Sequence, residues 1–218
     1  MDVRRFGVAA LIIAATVGVA SAQDGGHGGF YVGGLIGTVD HQSSVTDVDY
    51  DWFGGTISQQ EQGVTFGLTA GYNWNPGSTL FGVEFDWAST DPSTELRLYE
   101  SINYEQEMNY LATLRFRGGL VVERTLVYFT AGLSYGDFDG QWIEDGDSAD
   151  SWDDLGDSKT GFVYGGGFER FSQSGKWSFK LEGLWASFSD YDVDNSLEYT
   201  FNVEHEAFSI RFGVNYHI

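Results

Sequence analysis

The chain has 218 residues with 11 basic and 32 acidic side chains, no cysteine, two prolines and 30 glycines, and its formal charge is −21. A chain this acidic, with its few cations scattered and no basic stripe, is not built to hold nucleic acid. The absence of thiols excludes disulfide stapling, cysteine nucleophiles and thiolate metal sites.

Residues 1–22 read as a cleaved signal peptide. Arg4 and Arg5 form a positive start, Phe6 to Ala20 an apolar run, and Ala20-Ser21-Ala22 the small-x-small site that signal peptidase accepts. The run is shorter than the ~20 residues of a spanning helix, and nothing after it is long and apolar enough to be one. A mature domain of residues 23–218 is therefore expected to be exported. Its glycines and aromatics favour an all-β fold with closely approaching backbones.

Eight segments then alternate with period two. They run approximately over 29–38, 63–74, 79–88, 107–121, 126–136, 159–170, 176–188 and 206–218. These lengths suit the ~9–11 residues of a tilted strand that crosses a bilayer, with some overhang. The connections alternate too. Asn75-Pro76-Gly77-Ser78, Glu123-Arg124-Thr125 and Ser172-Gln173-Ser174-Gly175 are tight turns, whereas roughly 39–62, 89–106, 137–158 and 189–205 are long loops. Short turns on one side and long loops on the other are the asymmetry of bacterial outer-membrane barrels, with short periplasmic turns and long extracellular loops. The expectation is an eight-stranded antiparallel transmembrane up-and-down β-barrel. It has four extracellular loops, three periplasmic turns and both ends in the periplasm.

The faces of the strands differ in the sense a membrane requires. Phe81, Val83, Phe85 and Trp87 share one face of their strand, opposite Gly82, Glu84, Asp86 and Ala88. Tyr110, Ala112, Leu114 and Phe116 likewise oppose Leu111, Thr113, Arg115 and Arg117. Collected over all strands, the polar face holds the acids Glu84, Asp86, Glu169 and Glu182 and the bases Arg115, Arg117, Lys180 and Arg211. An eight-stranded barrel is only wide enough inside for side chains to fill it. These charges are therefore expected to form a balanced, structural ion-pair network in the lumen. Trp74, Phe81, Tyr128, Trp177 and Tyr216 near the short turns, with Trp87, Tyr110, Tyr135 and Trp185 toward the long loops, are expected to form two interfacial girdles.

The opening Gly29-Phe30-Tyr31-Val32-Gly33-Gly34 and the closing alternation of Phe208, Ile210, Phe212, Val214, Tyr216 and Ile218 resemble the first and last strands of porin-family, OmpA-like small outer-membrane barrels. The resemblance spans residues 23–218 and includes no peptidoglycan-binding domain. It implies that Phe212, Val214, Tyr216 and Ile218 form the C-terminal signal for the barrel-assembly machinery. Here the chain ends on Ile218 where the family usually has an aromatic residue. It also implies outer-membrane lipid and lipopolysaccharide as surroundings.

Most of the 32 acids fall in the four long loops and their margins, which reads first as a solvated, self-repelling rim. Asp137, Asp139, Asp145 and Asp147 are candidates for calcium or magnesium, without the spacing of an EF-hand. No cofactor is otherwise implied. Aromatics such as Phe138, Trp142 and Tyr191 interleave with these acids as loop packing or as contacts for a surface ligand of unknown identity. The histidines at 27, 41, 205 and 217 are dispersed in sequence. His205, between Glu204 and Glu206, is expected at the rim with a raised pKa. The function these features suggest is envelope structure and surface interaction, without catalysis. The alternatives are a narrow channel for small solutes, a lipid-A-modifying enzyme, for which no Ser/His/acid cluster is legible, and a soluble lipocalin-like binder.

Overall fold

The computed structural model describes residues 27–47, 55–90, 93–99, 102–144, 157–194 and 200–218. In chain order the strands are β1 (Gly29–Asp47), β2 (Thr56–Trp74), β3 (Thr79–Thr90), β4 (Ser93–Tyr99) and β5 (Ile102–Val122). They continue with β6 (Thr125–Glu144), β7 (Asp157–Phe171), β8 (Trp177–Phe188), β9 (Tyr191–Asp194) and β10 (Thr200–His217). Eight of them close a ring, each antiparallel to the next, in the order β1-β2-β3-β5-β6-β7-β8-β10 and back to β1. Closure runs from Tyr31 opposite His217 to Asp47 opposite Phe201, so no edge is left in the bilayer. The short β4 pairs only with β5, and β9 only with β10.

The three tight turns are built as their sequences suggest. Gly77 and Gly175 take positive φ of 102° and 70°, and Glu123 is the one non-glycine in that region among the described residues, at 57°. The long connections are shorter than expected. β1 and β2 continue together to Thr46 opposite Thr56, inside the stretch read as a loop. β5 and β6 continue to Ile102 opposite Glu144. The ladder persists past the bilayer because its outward side chains turn polar. Thr46 meets Thr56 and Ser44 meets Ser58 through their hydroxyls, each at 2.9 Å, and Gln60 donates to Asp40 at 2.8 Å.

Below that level the outward face is apolar. Phe129, Phe116 and Phe162 are 82 %, 73 % and 72 % exposed, values a water-soluble domain does not tolerate in a continuous belt. On β8 the belt runs from Trp177 to Trp185. At about 3.3 Å per residue and a tilt of about 40°, those eight steps rise about 20 Å, close to the ~25 Å apolar band of outer-membrane barrels. No described helix is long and apolar enough to cross a membrane; the strands provide the crossing.

The barrel interior as candidate functional site

Side chains fill the lumen in three layers. Nearest the tight turns, Leu80, Leu126, Tyr128 and Phe171 pack together, and the His27 ring stacks on Phe171 at 4.1 Å. At the far end Val39, Met108, Leu111, Phe138, Val163, Leu184, Ala186, Phe188 and Ala207 form a second apolar cluster. The charged residues lie between.

The structure brings all eight predicted charges together, each at most 2 % exposed. Arg115 is the hub. Its guanidinium reaches Glu84 at 2.5 Å and Glu182 at 3.2 Å, and also Asp86. Arg117 bridges Glu84 at 3.2 Å and Glu169 at 2.5 Å. Lys180 lies 2.9 Å from Glu84 and 3.5 Å from Glu182. Arg211 lies 3.1 Å from Asp86 and 2.9 Å from Glu182. Glu84, Asp86 and Glu182 lie close enough to ligate one metal ion. The three guanidinium groups and the ammonium group already occupy that space and neutralise its charge, so the donor set does not fit a cation.

Sequence reasoning missed the neutral partners. Tyr31 donates to Glu84 at 2.6 Å and Tyr128 to Glu182 at 2.9 Å. Arg117 also donates to Asn73 at 3.2 Å. Its guanidinium carbon lies 5.1 Å from the centroids of both tyrosine rings, which hold it between two π faces. Tyr128 therefore does not belong to the interfacial girdle: at 2 % exposed it points inward, between outward Val127 and Phe129. Strand parity alone carried that signal. The other girdle residues, among them Trp74, Trp87, Tyr135, Trp177 and Tyr216, face outward.

Room for these long side chains comes from glycine. Gly132 is the cross-strand neighbour of Arg115, Gly82 of Arg117, Gly37 of Arg211, Gly213 of Lys180, Gly167 of Glu182 and Gly71 of Glu84. A Cβ at Gly132 would lie 2.6 Å from Arg115 Cα, and one at Gly167 would lie 2.9 Å from Glu182 Cα. The high glycine content thus serves the lumen as well as the turns.

Closer to the tight turns, Ser178 donates to Glu169 at 2.5 Å and lies 2.8 Å from His217 Nε2. This is a Ser/His/acid cluster that the sequence did not reveal, because ring closure places β10 beside β8. Its wiring is not that of a nucleophilic triad. Glu169 approaches the same Nε2 that faces Ser178, at 3.8 Å, while Nδ1 has no hydrogen-bond partner. The serine proton is committed to the carboxylate, so the histidine is not set to remove it.

The histidines are less dispersed than their numbering suggests. His41 and His205 are buried beyond the apolar belt, with ring centroids 5.6 Å apart, and His205 stacks on Phe138 at 4.7 Å. The expected raised pKa of His205 is reversed. Glu204 and Glu206 point away on the other face of β10, and burial with His41 and Lys159 nearby lowers His205 to about 3. Burial lowers His41 to about 4 against the opposing pull of Asp40. Both values lie below the ordinary value of 6.5, so the folded state binds fewer protons than the unfolded chain. Stability from this pair is present above pH 6.5 and lost as pH falls through that window, with a limiting slope of about 1.4 kcal/mol per pH unit per histidine. Unfolding in urea at pH 7 and pH 5 should show a smaller difference for His41→Phe than for the unmodified protein. Equal differences would contradict this account.

Of the metal candidates, the Asp137 carboxylate accepts from Ser158 at 2.9 Å and from Asn109 at 3.2 Å. The Asp139 side chain, Asp145 and Asp147 lie outside the described residues, as do Trp142 and Tyr191 as side chains and the whole of 1–26. Phe138, one of the interleaved aromatics, is buried in the upper apolar layer. At the other end Phe212, Tyr216 and Ile218 are 46 %, 38 % and 80 % exposed on the outer face of β10.

The family model described as outer membrane protein beta-barrel domain matches residues 8–204. A 31 kDa outer-membrane immunogenic protein of Brucella melitensis biotype 1 is 29 % identical over 204 residues, 88 % of this chain and 82 % of that one. A 22 kDa outer membrane protein of Rhizobium leguminosarum bv. viciae is 28 % identical over 85 % of this chain and 75 % of its own length. Among solved structures, the outer membrane protein OprG of Pseudomonas aeruginosa aligns with 88 % of this chain and 99 % of its own, at 15 % identity and a TM-score of 0.51. That last likeness is one of fold.

Proposed function

Because the chain belongs to the outer membrane protein β-barrel family, we propose that it is a surface-interaction and envelope-structure barrel whose lumen is closed, neither a solute channel nor an enzyme. The observation that carries this reading is the three-layer filling of the lumen: a charge-balanced network between two apolar clusters, with its charged side chains at most 2 % exposed. A conducting bore needs hydrated, single-sign or sparse charges along its wall. Here each charge is taken up by a neighbour.

On this reading residues 1–22 are removed during export. The tight turns and both ends of the mature chain lie in the periplasm, and the acidic loops lie outside. The partners are outer-membrane lipid and lipopolysaccharide, together with the assembly machinery that reads the outward Phe212, Val214, Tyr216 and Ile218. The Brucella relative is named for its immunogenicity, which supports exposure of the loops at the cell surface. Against an enzymatic role stands the wiring of Ser178, Glu169 and His217 described above.

Planar-bilayer recording tests the closed lumen. The purified protein is expected to give no current above the lipid background. Discrete, reproducible conductance steps from the folded barrel would sink the reading in favour of a narrow channel.

A further inference from the structure

Charge at the tight-turn end of the barrel runs against that of the whole chain. The formal charge is −21, yet the two exposed cations among the described side chains, Arg170 and Lys176, both lie there, with half-buried Arg124 on the neighbouring turn. The β2–β3 turn, Asn75-Pro76-Gly77-Ser78, is uncharged. The cations share one arc. Arg170 pairs across β6 with Thr125, the residue after Arg124. Phe171 N donates to Arg124 O at 2.8 Å, and Ser172 N donates to Trp177 O, beside Lys176, at 2.8 Å. Glu123 is the acid on these two turns.

Arg170 faces outward at the lower margin of the lipid belt. Nη1 donates to Thr125 Oγ1 at 2.7 Å, which fixes the guanidinium against β6 and orients its remaining donors. On the same face Phe179 lies opposite it on β8, Val127 and Phe168 pair one step deeper in the belt, and Trp177 lies nearer the turn, each 44–57 % exposed. An arginine fork beside an apolar wall is complementary to a phosphate that carries acyl chains.

We propose that Arg124, Arg170 and Lys176 form a docking site for the phosphate headgroup of an anionic phospholipid, with its acyl chains against Phe168 and Phe179. The continuity of the cations with the lipid-facing belt selects a lipid over a free anion. Placing that lipid in the periplasmic leaflet rests on the orientation proposed above; binding itself does not.

The test uses the full mature chain purified in detergent, with retained lipid counted by native mass spectrometry after addition of phosphatidylglycerol or phosphatidylcholine. Phosphatidylglycerol should be retained at least fivefold more than phosphatidylcholine, and the variant R124Q/R170Q/K176Q should lose that preference. Equal retention of the two lipids, or an undiminished preference in the variant, would overturn the site. Should the triple variant fail to fold, Glu123→Lys replaces it: added positive charge should raise phosphatidylglycerol retention, and unchanged retention refutes the proposal. Displacement by glycerol 3-phosphate at equal concentration would also refute it, since no acyl contact would then be needed. Orientation is read separately. A membrane-impermeant thiol reagent should leave Ser174→Cys unlabelled in intact cells, and labelling would refute the orientation while leaving the retention result to stand alone.

Discussion

Arg115→Met should lower the unfolding free energy by about 3–5 kcal/mol, the range for removing one partner from a buried ion cluster. Arg115 touches three carboxylates, Glu84, Asp86 and Glu182. After its loss each keeps another cation: Glu84 has Arg117 and Lys180, Asp86 has Arg211, and Glu182 has Lys180 and Arg211. The penalty therefore comes from one uncompensated negative charge among side chains at most 2 % exposed. Methionine replaces the aliphatic stem though not the guanidinium group, which limits the cavity contribution. Urea unfolding in phospholipid vesicles, followed by tryptophan fluorescence, measures the loss. The double variant R115M/D86N restores charge balance and should recover more than half of it, a coupling that a simple packing defect would not produce. A loss below about 1 kcal/mol would mean that the network is solvated like a surface pair. That result would bring the open-channel reading back.

Strand parity carried much of this in advance. With one face of each strand committed to lipid, Glu84, Asp86, Arg115 and the other lumen charges could point nowhere else, and equal numbers of acids and bases implied neutralisation. Pairing inside the network was not legible. Arg211 meets Asp86 across 125 residues, and which inward residues share a level depends on the stagger at which the ring closes. The same closure put Ser178 beside His217 and hid that cluster from a linear reading. Tyr128 was misplaced because its nearness to a turn was weighed above its parity. The upper apolar layer was overlooked for a different reason. Met108, Phe138 and Phe188 lie at strand margins, where an outer-membrane strand was assumed to end at the bilayer, although its ladder and its inward packing continue beyond it.

The glycines opposite the charges lead to the second large effect: Gly132→Val should prevent the barrel from reaching its folded form, or destabilise it by about 3 kcal/mol or more if it does. Gly132 faces Arg115 across the β5–β6 ladder. A Cβ there would lie 2.0 Å from Leu114 O and 2.6 Å from Arg115 Cα. Both are backbone atoms, so no rotamer change relieves the clash and the two strands must separate. Separation breaks ladder hydrogen bonds at a depth where lipid offers no replacement and moves the guanidinium away from its three carboxylates. Gly34 is the control. It faces outward, the nearest heavy atom to an added Cβ is Gly67 O at 3.8 Å, and Gly34→Ala should change stability by no more than about 0.5 kcal/mol. Folded barrels resist detergent at room temperature and migrate differently on gels before and after boiling. Gly34→Ala should keep that shift, and Gly132→Val should lose it. A normal shift in Gly132→Val would mean that β5 and β6 are spaced more widely at the level of the network, and that Arg115 is held by its carboxylates without the close approach that glycine permits.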